Sequence, residues 1–413
     1  MAIAKVNDTP AANISKANNV PIANIAKFSD IEAPAGGQAA TRWAVCMDDG
    51  YVSWANADDI GTVAEWEDNT HRADSGMSAD YHDIAYGKDG SGNAKWMVCG
   101  NSNADNITFD GNNDITDASA WTSFEVPDSA GGKKVEVVEW GAGDGASDSS
   151  SGSPVTRADA WLASGRTASG EVWVHRSVDG GANWTHLNLD GLTNITGNSN
   201  TDYHLRAMAS DGTGNWMVAQ RGNLFFSSDS GVSFSYLIQP TGDGTHLIRD
   251  IVYTNNTWVV LSATGGNLYL STCVGSTAAN MDASGDWSNA VQLIDTQGTP
   301  VKLNGNNAYA TMAGAAGRIV AIDHAKALAA TVNGKTDPVI QGDTQTVPDT
   351  GGASNCIATD GTTWLIGSDG NSGGGDISRS TDGGENWGII VDGSNESGDR
   401  KIEGIAPNVV LAI

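Results

Sequence analysis

The sequence predicts an all-β chain built from repeated short antiparallel strands, and three observations predict it. The chain has 52 glycines among 413 residues, and glycine at this density disfavours long helices. A short apolar segment, led by tryptophan in six of its seven copies, returns at intervals of 42 to 65 residues. A serine–aspartate–glycine turn sequence also occurs three times. Repetition of this kind is typical of arrays in which each unit packs against the next.

The charge and composition of the chain exclude several function classes. Acidic residues number 49 and basic residues 22, which gives a net charge of −27 without a cluster of Lys or Arg. Nucleic acids and anionic membranes are bound by basic surfaces, so we expect neither partner. No apolar run approaches the roughly 20 residues of a membrane helix, and the N-terminus lacks the apolar core of a secretory signal.

The four cysteines are expected to be buried apolar residues. Their spacing fits neither a zinc site nor a disulfide framework. They are Cys46, Cys99, Cys273 and Cys356.

The N-terminus contains an 11-residue repeat. Residues 3–13 are followed directly by residues 14–24, and a third copy begins at Ile25 and stops at Lys27. Each full copy starts with Ile-x-Lys and continues through Asn and Pro, which favour turns. Two and a half copies cannot form a core of their own, so we predict that residues 1–34 form an arm that docks on another protein. The docking residues would be Ile3, Lys5, Ile14, Lys16, Ile25 and Lys27.

A flexible leader is the alternative to a docking arm. The repeat resembles the Ile-x-Lys-Val-Asn-Gly-Val tandem units at the N-termini of marine and cyanobacterial phage virion proteins, over 27 residues. This resemblance implies a component of a phage particle.

The seven apolar segments predict seven buried strands. Each combines a large apolar residue with two or three further apolar residues and a small one. Most follow another strand-like stretch, such as residues 81–86, 203–208 and 247–252. The segments begin at Trp43, Trp96, Trp161, Trp216, Trp258, Ile319 and Trp364.

The three turn sequences share the pattern S-x-D-x-G-x-x-[W/F]. The aspartate can accept backbone N–H bonds within a turn, the glycine supplies a positive φ, and the aromatic residue returns to the sheet. The residues are Ser177, Asp179, Gly181 and Trp184; Ser227, Asp229, Gly231 and Phe234; and Ser380, Asp382, Gly384 and Trp387. The pattern resembles the Asp box of sialidase-like β-propellers, which implies a structural and not a catalytic aspartate.

The spacing of the turns predicts a seven-bladed β-propeller over residues 35–413. Asp179 and Asp229 are 50 residues apart, and Asp382 follows after 153 more, so two blades between them lack the box. The first unit lacks an inner strand, which residues 401–406 are predicted to supply. Joining the two chain ends in one blade removes exposed sheet edges. A strand at 408–413 leaves an eighth, partial blade as an alternative.

A propeller alone does not determine function. A sialidase would need three substrate-binding arginines, an Arg-Ile-Pro motif and a Tyr–Glu pair, but the chain has 11 arginines and no Arg-Ile-Pro. An Asp-box glycoside hydrolase would need two opposed carboxylates, for which Asp83 and Asp250 are the candidates. We expect no catalytic residues and no enzyme activity, with a glycoside hydrolase as the alternative.

Two further patterns could indicate a ligand. His82, His204 and His246 lie near the starts of inner strands, where they predict either a binding site at the channel mouth or satisfied strand ends. Residues 110–117 place oxygen ligands at loop positions one, three and five but lack the Gly and Glu of an EF-hand. We therefore predict no metal and no cofactor, with calcium as the alternative.

The sequence favours a non-enzymatic bacteriophage virion protein. Its propeller would be exposed on the capsid or tail and held to other virion proteins by the arm. Particle symmetry would impose its oligomeric state. The alternative is a host-glycan-binding tail fibre or spike head, in which Trp54, Trp140 and Trp173 could stack on sugar rings, although we expect each of them to pack between blades.

Overall fold

The computed structural model describes four short N-terminal segments and most of the chain from residue 42. The described residues are 5–6, 9–10, 16–17, 20–21, 42–61, 65–66, 70–73, 80–100, 107–110, 114–124, 134–148, 155–166, 172–189, 191–192, 205–238, 240, 246–275, 277–294, 298–301, 310–323, 326–334, 337–347, 353–369, 375–391 and 400–409.

The fold is a β-propeller whose described strands form seven four-stranded antiparallel sheets. The sheets are numbered here around the ring, with sheet 1 containing both chain ends. From the inner to the outer edge, the strands are Ile402–Pro407, Arg42–Met47, Tyr51–Asn56 and His71–Arg72 in sheet 1; Tyr81–Lys88, Ala94–Gly100, Ile107–Asp110 and Trp121–Phe124 in sheet 2; Lys134–Gly141, Ala160–Arg166, Val172–Ser177 and Thr185–Asn188 in sheet 3; Leu205–Ser210, Trp216–Gln220, Asn223–Ser227 and Ser235–Ile238 in sheet 4; Leu247–Thr254, Thr257–Thr264, Asn267–Cys273 and Val291–Gln292 in sheet 5; Thr311–Ala315, Arg318–Asp323, Lys326–Thr331 and Val339–Thr346 in sheet 6; and Ser354–Thr359, Trp364–Ser368, Ile377–Ser380 and Gly388–Val391 in sheet 7.

Several short elements lie outside the seven four-stranded sheets. Two-residue strands Ser147–Asp148 and Val155–Thr156 pair as a hairpin. The 3-10 helices are Asp48–Gly50, Ala278–Asn280 and Ser284–Asp286. None of the helices in the described part of the chain is long and apolar enough to cross a membrane.

The inner strands of the seven sheets contact one another in cyclic order, and the last contacts the first. In sheet 1, Ile402–Pro407 pairs antiparallel with Arg42–Met47, so that the two ends of the described propeller share a sheet. The other six sheets are each continuous along the chain apart from the small hairpin in sheet 3. Six blades are thus formed by continuous stretches of the chain, where the sequence predicts seven blades, and the remaining sheet combines the two ends of the described propeller.

The core lies between neighbouring sheets. All seven predicted apolar segments are second strands, and their six tryptophans are at most 3% exposed. Trp258 of sheet 5, for example, packs with Phe226 and Met217 of sheet 4. Each tryptophan therefore fills the space between two sheets, which is the burial that stabilises the ring. The four cysteines are buried, and none of them is in a disulfide bond.

The three turns that resemble the Asp box join the third and fourth strands of sheets 3, 4 and 7. In each turn the serine Oγ donates to the aspartate Oδ1 at 2.7–2.8 Å and accepts the glycine N–H at 2.9 Å. The aspartate Oδ1 also accepts the N–H of the residue four positions later, at 2.8–2.9 Å. The aromatic residues Trp184 and Phe234 are 9% and 7% exposed. The motif therefore acts here as a self-contained hydrogen-bonded turn.

Two of these turns also accept hydrogen bonds from arginines of the preceding sheet. Arg176 of sheet 3 donates Nε–H to the carbonyl of Ser230 at 2.6 Å, and Arg318 of sheet 6 donates to the carbonyl of Gly383 at 2.9 Å. A Cβ at Gly384 would lie 2.5 Å from Val320 Cγ2, so only glycine allows this approach. The turns therefore contribute to the contacts between sheets.

The two N-terminal repeats form equivalent hairpins. Lys5–Val6 pairs with Thr9–Pro10, and Lys16–Ala17 pairs with Val20–Pro21, in the same register 11 residues later. Lys5 and Lys16 therefore hold equivalent backbone positions. The other predicted docking residues lie outside the described residues: Ile3, Ile14, Ile25 and Lys27.

Candidate functional site

A central cavity of about 410 Å³ is lined by the inner strands of all seven sheets. Ligands of propellers and barrels commonly bind in such mouths, where many strands contribute side chains to one space. The cavity is therefore the candidate functional site.

Six of the seven inner strands contain a β-bulge near their start, and the extra residue of each lines the cavity. A bulge leaves one residue outside the ladder and redirects its side chain. The six residues, which we call the bulge ring, are all polar: His82, Glu136, Arg206, Arg249, Asn355 and Glu403. The inner strand of sheet 6 pairs without a shift, and Ala310 lines the cavity there.

The cyclic order of the sheets separates the charges of the bulge ring. Arg206 and Arg249 belong to the neighbouring sheets 4 and 5, and Glu403 belongs to sheet 1. In a cycle of seven inner strands, sheet 1 lies opposite the boundary between sheets 4 and 5. His82 on sheet 2 and Glu136 on sheet 3 follow Glu403 around the cycle. The ring therefore has a cationic arc that faces a mainly acidic one.

The carboxyl group of Glu403 is largely buried. Burial, together with the negative charge of Asp369, raises the pKa of Glu403 to about 7, and the positive charge of Lys401 opposes the rise. Asp48 and Asp80 also raise this pKa. All of these charges belong to sheets 7, 1 and 2 or the segments between them, on the Glu403 side of the cavity. The cationic arc across the cavity therefore does not neutralise this carboxyl.

Asp83 and Asp250, the two candidate hydrolase carboxyls, each bridge two inner strands. Each accepts the N–H of the following residue through Oδ1 at 2.7–2.9 Å. Asp83 Oδ2 accepts the N–H of Val138 at 3.0 Å, and Asp250 Oδ2 accepts the Thr311 hydroxyl at 2.6 Å and the Met312 N–H at 2.7 Å. Burial raises their pKa values to about 7 and about 6. Their oxygens thus hold neighbouring sheets together.

Two further polar groups line the cavity on the inner strand of sheet 3. Burial raises the pKa of Glu139 well above its ordinary value, and the charges of Asp83 and Asp250 raise it further. Trp140 is 8% exposed, and its Nε1–H has no acceptor among the described residues.

The two predicted histidines that the structure describes, His82 and His246, differ in their surroundings. His82 belongs to the bulge ring, whereas His246 is 7% exposed, with Nδ1 3.2 Å from Ser262 Oγ and its ring 4.7 Å from that of Tyr269. His246 is thus packed within sheet 5, three residues before Arg249. His204 lies outside the described residues. The equivalents of His82 in sheets 4 and 5 are Arg206 and Arg249, which the sequence analysis missed.

Two of the three tryptophans considered for sugar stacking pack between sheets, which is the arrangement expected for them. Trp140 and Trp173 are 8% and 1% exposed and belong to the apolar cluster between sheets 2 and 3. Trp54 is half-buried, and the guanidinium of Arg42 lies 4.6 Å from its ring centroid. A stacking surface for sugars is therefore not formed by this set.

The predicted calcium loop is described only in part. Asp114 Oδ1 accepts the N–H and hydroxyl of Thr116, and Asp117 Oδ1 accepts those of Ser119, at 2.6–3.0 Å. These carboxylates stabilise local turns. Across the described residues, no group of three or more His, Cys, Asp or Glu could hold a metal ion.

Comparisons with known proteins bear on the fold alone. No family model matches the chain, and no curated protein matches it. The structure titled "YCF48 bound to D1 peptide" is 12% identical with a TM-score of 0.47, covering 91% of this chain and 98% of that one. A streptogramin B lyase is 12% identical with a TM-score of 0.47, covering 78% and 86%, and the Dos1 propeller is 13% identical with a TM-score of 0.44, covering 78% and 74%. The resemblance to the Asp-box family stays a prediction.

Proposed function

We propose that this protein is a non-enzymatic component of a bacteriophage particle, a propeller exposed on the head or tail and attached through its N-terminal arm. The observation that carries the proposal is the pair of equivalent hairpins that precede the propeller. An isolated two-stranded hairpin is marginally stable in water. A repeated hairpin therefore fits a segment that is stabilised by docking on a partner. The resemblance of the repeat to those of phage virion proteins supports another virion protein as that partner.

The hydrogen bonds of Asp83 and Asp250 support the part of the proposal that gives the protein no enzyme activity. A hydrolytic pair needs one carboxyl that donates a proton and one that attacks or activates water. Both carboxyls accept hydrogen bonds from the backbone of a neighbouring sheet. These bonds fit carboxyls that hold neighbouring sheets together, which is the role that the proposal gives them.

We further propose that the ring has seven blades, one of them shared by the two ends of the chain. The support is the closed cycle of seven inner strands and the composite sheet 1. Such a closure protects the ring from opening, because neither terminal sheet is left with an unpaired edge.

The test is incorporation into particles. Deletion of residues 1–28 should leave a propeller with unchanged thermal unfolding that no longer enters purified particles. A matched control keeps the arm's length and composition but scrambles residues 3–24, and it should also fail to incorporate. Normal incorporation of either variant would contradict docking by the repeated hairpins.

Recognition of a host glycan is the second candidate function. The polar character of the bulge ring favours it, because Asn355, Glu136 and Glu403 can hydrogen-bond to hydroxyl groups. Binding on a glycan array, together with an assay for reducing sugar released from host envelope, distinguishes binding from hydrolysis.

A further inference from the structure

We propose that Tyr51, Arg72 and Arg400 form a binding site for a single phosphate or sulfate group, held between the two guanidinium groups. The three residues are called here the arginine–tyrosine cluster. Tyr51 and Arg72 belong to sheet 1, Arg400 precedes its inner strand, and none of the three is among the lining residues of the central cavity. The inference goes beyond the proposed function, which concerns attachment to a particle and names no ligand.

Both arginines of the cluster contact one tyrosine ring. Tyr51 begins the third strand of sheet 1 and pairs directly with Arg72 on the fourth strand. The guanidinium carbon of Arg400 lies 3.7 Å from the Tyr51 ring centroid, and that of Arg72 lies 5.0 Å from it. The separation of the two carbons therefore cannot exceed the sum of these distances. One tetrahedral oxyanion can span such a gap, because hydrogen bonds of about 2.7–2.9 Å on either side add to its own width.

Backbone hydrogen bonds fix the positions from which the two arginines extend. The Arg400 carbonyl accepts the N–H of Gly375, which precedes the third strand of sheet 7, at 2.7 Å. The next residue, Lys401, donates its N–H to Asp48 Oδ1 at 2.9 Å, and its carbonyl accepts the Asp48 N–H at 3.3 Å. Arg72 is held by its pairing with Tyr51. Because the backbone is already ordered, binding costs less entropy than it would on a free loop.

Tyr51 does not neutralise the two positive charges that it contacts. A guanidinium group has five N–H donors, whereas a hydroxyl oxygen has two lone pairs, so most donors of the two arginines remain for another acceptor. Within the described part of the chain, neither arginine forms an ion pair with a carboxylate. Asp369 is instead paired with Lys401 Nζ at 3.5 Å. An anion between Arg72 and Arg400 would therefore offset the repulsion between like charges.

The hydroxyl group of Tyr51 shows the effect of these charges. A hydrogen bond from Arg72 lowers the pKa of Tyr51, and the positive charge of Arg400 lowers this pKa further, whereas burial opposes the change. An environment that favours a negative phenolate oxygen also favours the negative oxygens of a bound ligand. The cluster is therefore electrostatically suited to an oxyanion.

The donors and the surrounding charge limit the ligand to one phosphate or sulfate group. The planar fork of a guanidinium group matches pairs of oxygens on these anions. A phosphate or sulfate ester directs three such oxygens outward, enough for two arginines, whereas a carboxylate has only two. The net charge of the chain is −27, so an extended polyanion would be repelled by the surface around the cluster. A single ester group avoids this repulsion.

Isothermal titration calorimetry on the full-length protein at low salt tests the site. The probes are glucose 6-phosphate, glucose 6-sulfate, inorganic phosphate and inorganic sulfate, with glucose as the uncharged control. We expect at least one anionic probe to bind and glucose to give no measurable heat. Added sodium chloride should weaken binding, because salt screens exposed charges. Tighter binding of an ester than of the free ion supports a group carried by a sugar, and equal binding supports recognition of the ion itself.

Variants of the two arginines locate the bound probe. Arg72→Gln and Arg400→Gln should each weaken binding of the best probe by about tenfold or more, since each removes charge-assisted hydrogen bonds. Arg400→Lys keeps the charge but loses the paired donors, so its affinity should fall between those of the parent and Arg400→Gln. Lys326→Gln is the matched control, because it removes the same charge from an exposed position on sheet 6. It should leave the affinity unchanged.

The proposal is overturned if none of the anionic probes binds at low salt. It is also overturned if Lys326→Gln weakens binding as much as the arginine variants do, because the effect would then reflect only the net charge of the protein. Retention of the parent affinity by both Arg72→Gln and Arg400→Gln, with unchanged thermal unfolding, would place the probe elsewhere. Incorporation into particles is a separate measurement, so this proposal and the proposed function can fail independently.

Discussion

Replacing Asp229 by alanine tests whether the Asp-box turns stabilise the propeller. The side chain is 0% exposed. Its Oδ1 accepts the Ser227 hydroxyl at 2.7 Å and the Ser233 N–H at 2.9 Å, and its Oδ2 accepts the Ser233 hydroxyl at 2.6 Å. The aspartate at the equivalent position in sheet 7, Asp382, accepts a similar set of bonds but is exposed to solvent.

The difference in burial sets the expected magnitude. A hydrogen bond to a charged group contributes about 1.5–3 kcal/mol, and a buried donor left without an acceptor costs about 1–3 kcal/mol. The three bonds of Asp229 belong to one network, so their contributions are not independent and cannot simply be added. Asp229→Ala should therefore lower the free energy of unfolding by about 3–5 kcal/mol. Water can replace the carboxylate of Asp382, so Asp382→Ala should cost about 1–2 kcal/mol.

Differential scanning calorimetry measures this difference. With an unfolding entropy of about 2.1 cal/mol/K per residue, 1 kcal/mol corresponds to about 1 °C in a chain of this length. Asp229→Ala should therefore lower Tm by about 3–5 °C and Asp382→Ala by about 1–2 °C. The isosteric Asp229→Asn should fall between the parent and Asp229→Ala, because it keeps an acceptor but loses the charge. Equal losses for the two alanine variants would refute the argument from burial.

Two further predictions concern the same ring. Gly231→Ala should lower the free energy of unfolding more than Gly266→Ala. Both glycines have a positive φ, at 77° and 81°, but only at Gly231 would the new Cβ lie 2.7 Å from Leu162 Cδ2. Equal denaturation midpoints for the two variants would contradict this. Stability should fall as pH rises from about 4 to 7, because the folded pKa values of Asp83 and Asp250, about 7 and about 6, exceed their ordinary value of 3.8 and deprotonation is therefore more costly in the fold. Asp250→Asn should reduce that slope in urea titrations at several pH values, and an unchanged slope would refute the assignment.

Much of the fold could be predicted because each sheet repeats the same local requirements. A tryptophan on the second strand fills the space between neighbouring sheets. This requirement produces the apolar segments that recur along the sequence from Trp43 onward. The turn at residues 227–234 needs a serine, an aspartate and a glycine at fixed positions for its hydrogen bonds. Both signals are local, so a single sequence displays them.

The candidate site could not be predicted in the same way. A β-bulge inserts one residue into the alternation of a strand, and nothing in the composition of Leu205–Ser210 marks its position. The Tyr-His pairs at 81–82 and 203–204 suggest from the sequence that His82 and His204 are equivalent. In the structure, however, the residue of sheet 4 that is equivalent to His82 is Arg206. Likewise, Trp140 and Trp173 are polar-tipped aromatics that could face solvent or core, and only the packing between sheets 2 and 3 decides between them.

The structure also changes the meaning of the acidic composition. The formal charge of −27 counts every carboxylate as ionised, but burial raises the pKa values of Asp83, Glu139, Asp250 and Glu403. All four line the central cavity. Near neutral pH a fraction of these groups is protonated, so the cavity is less negative than its composition implies.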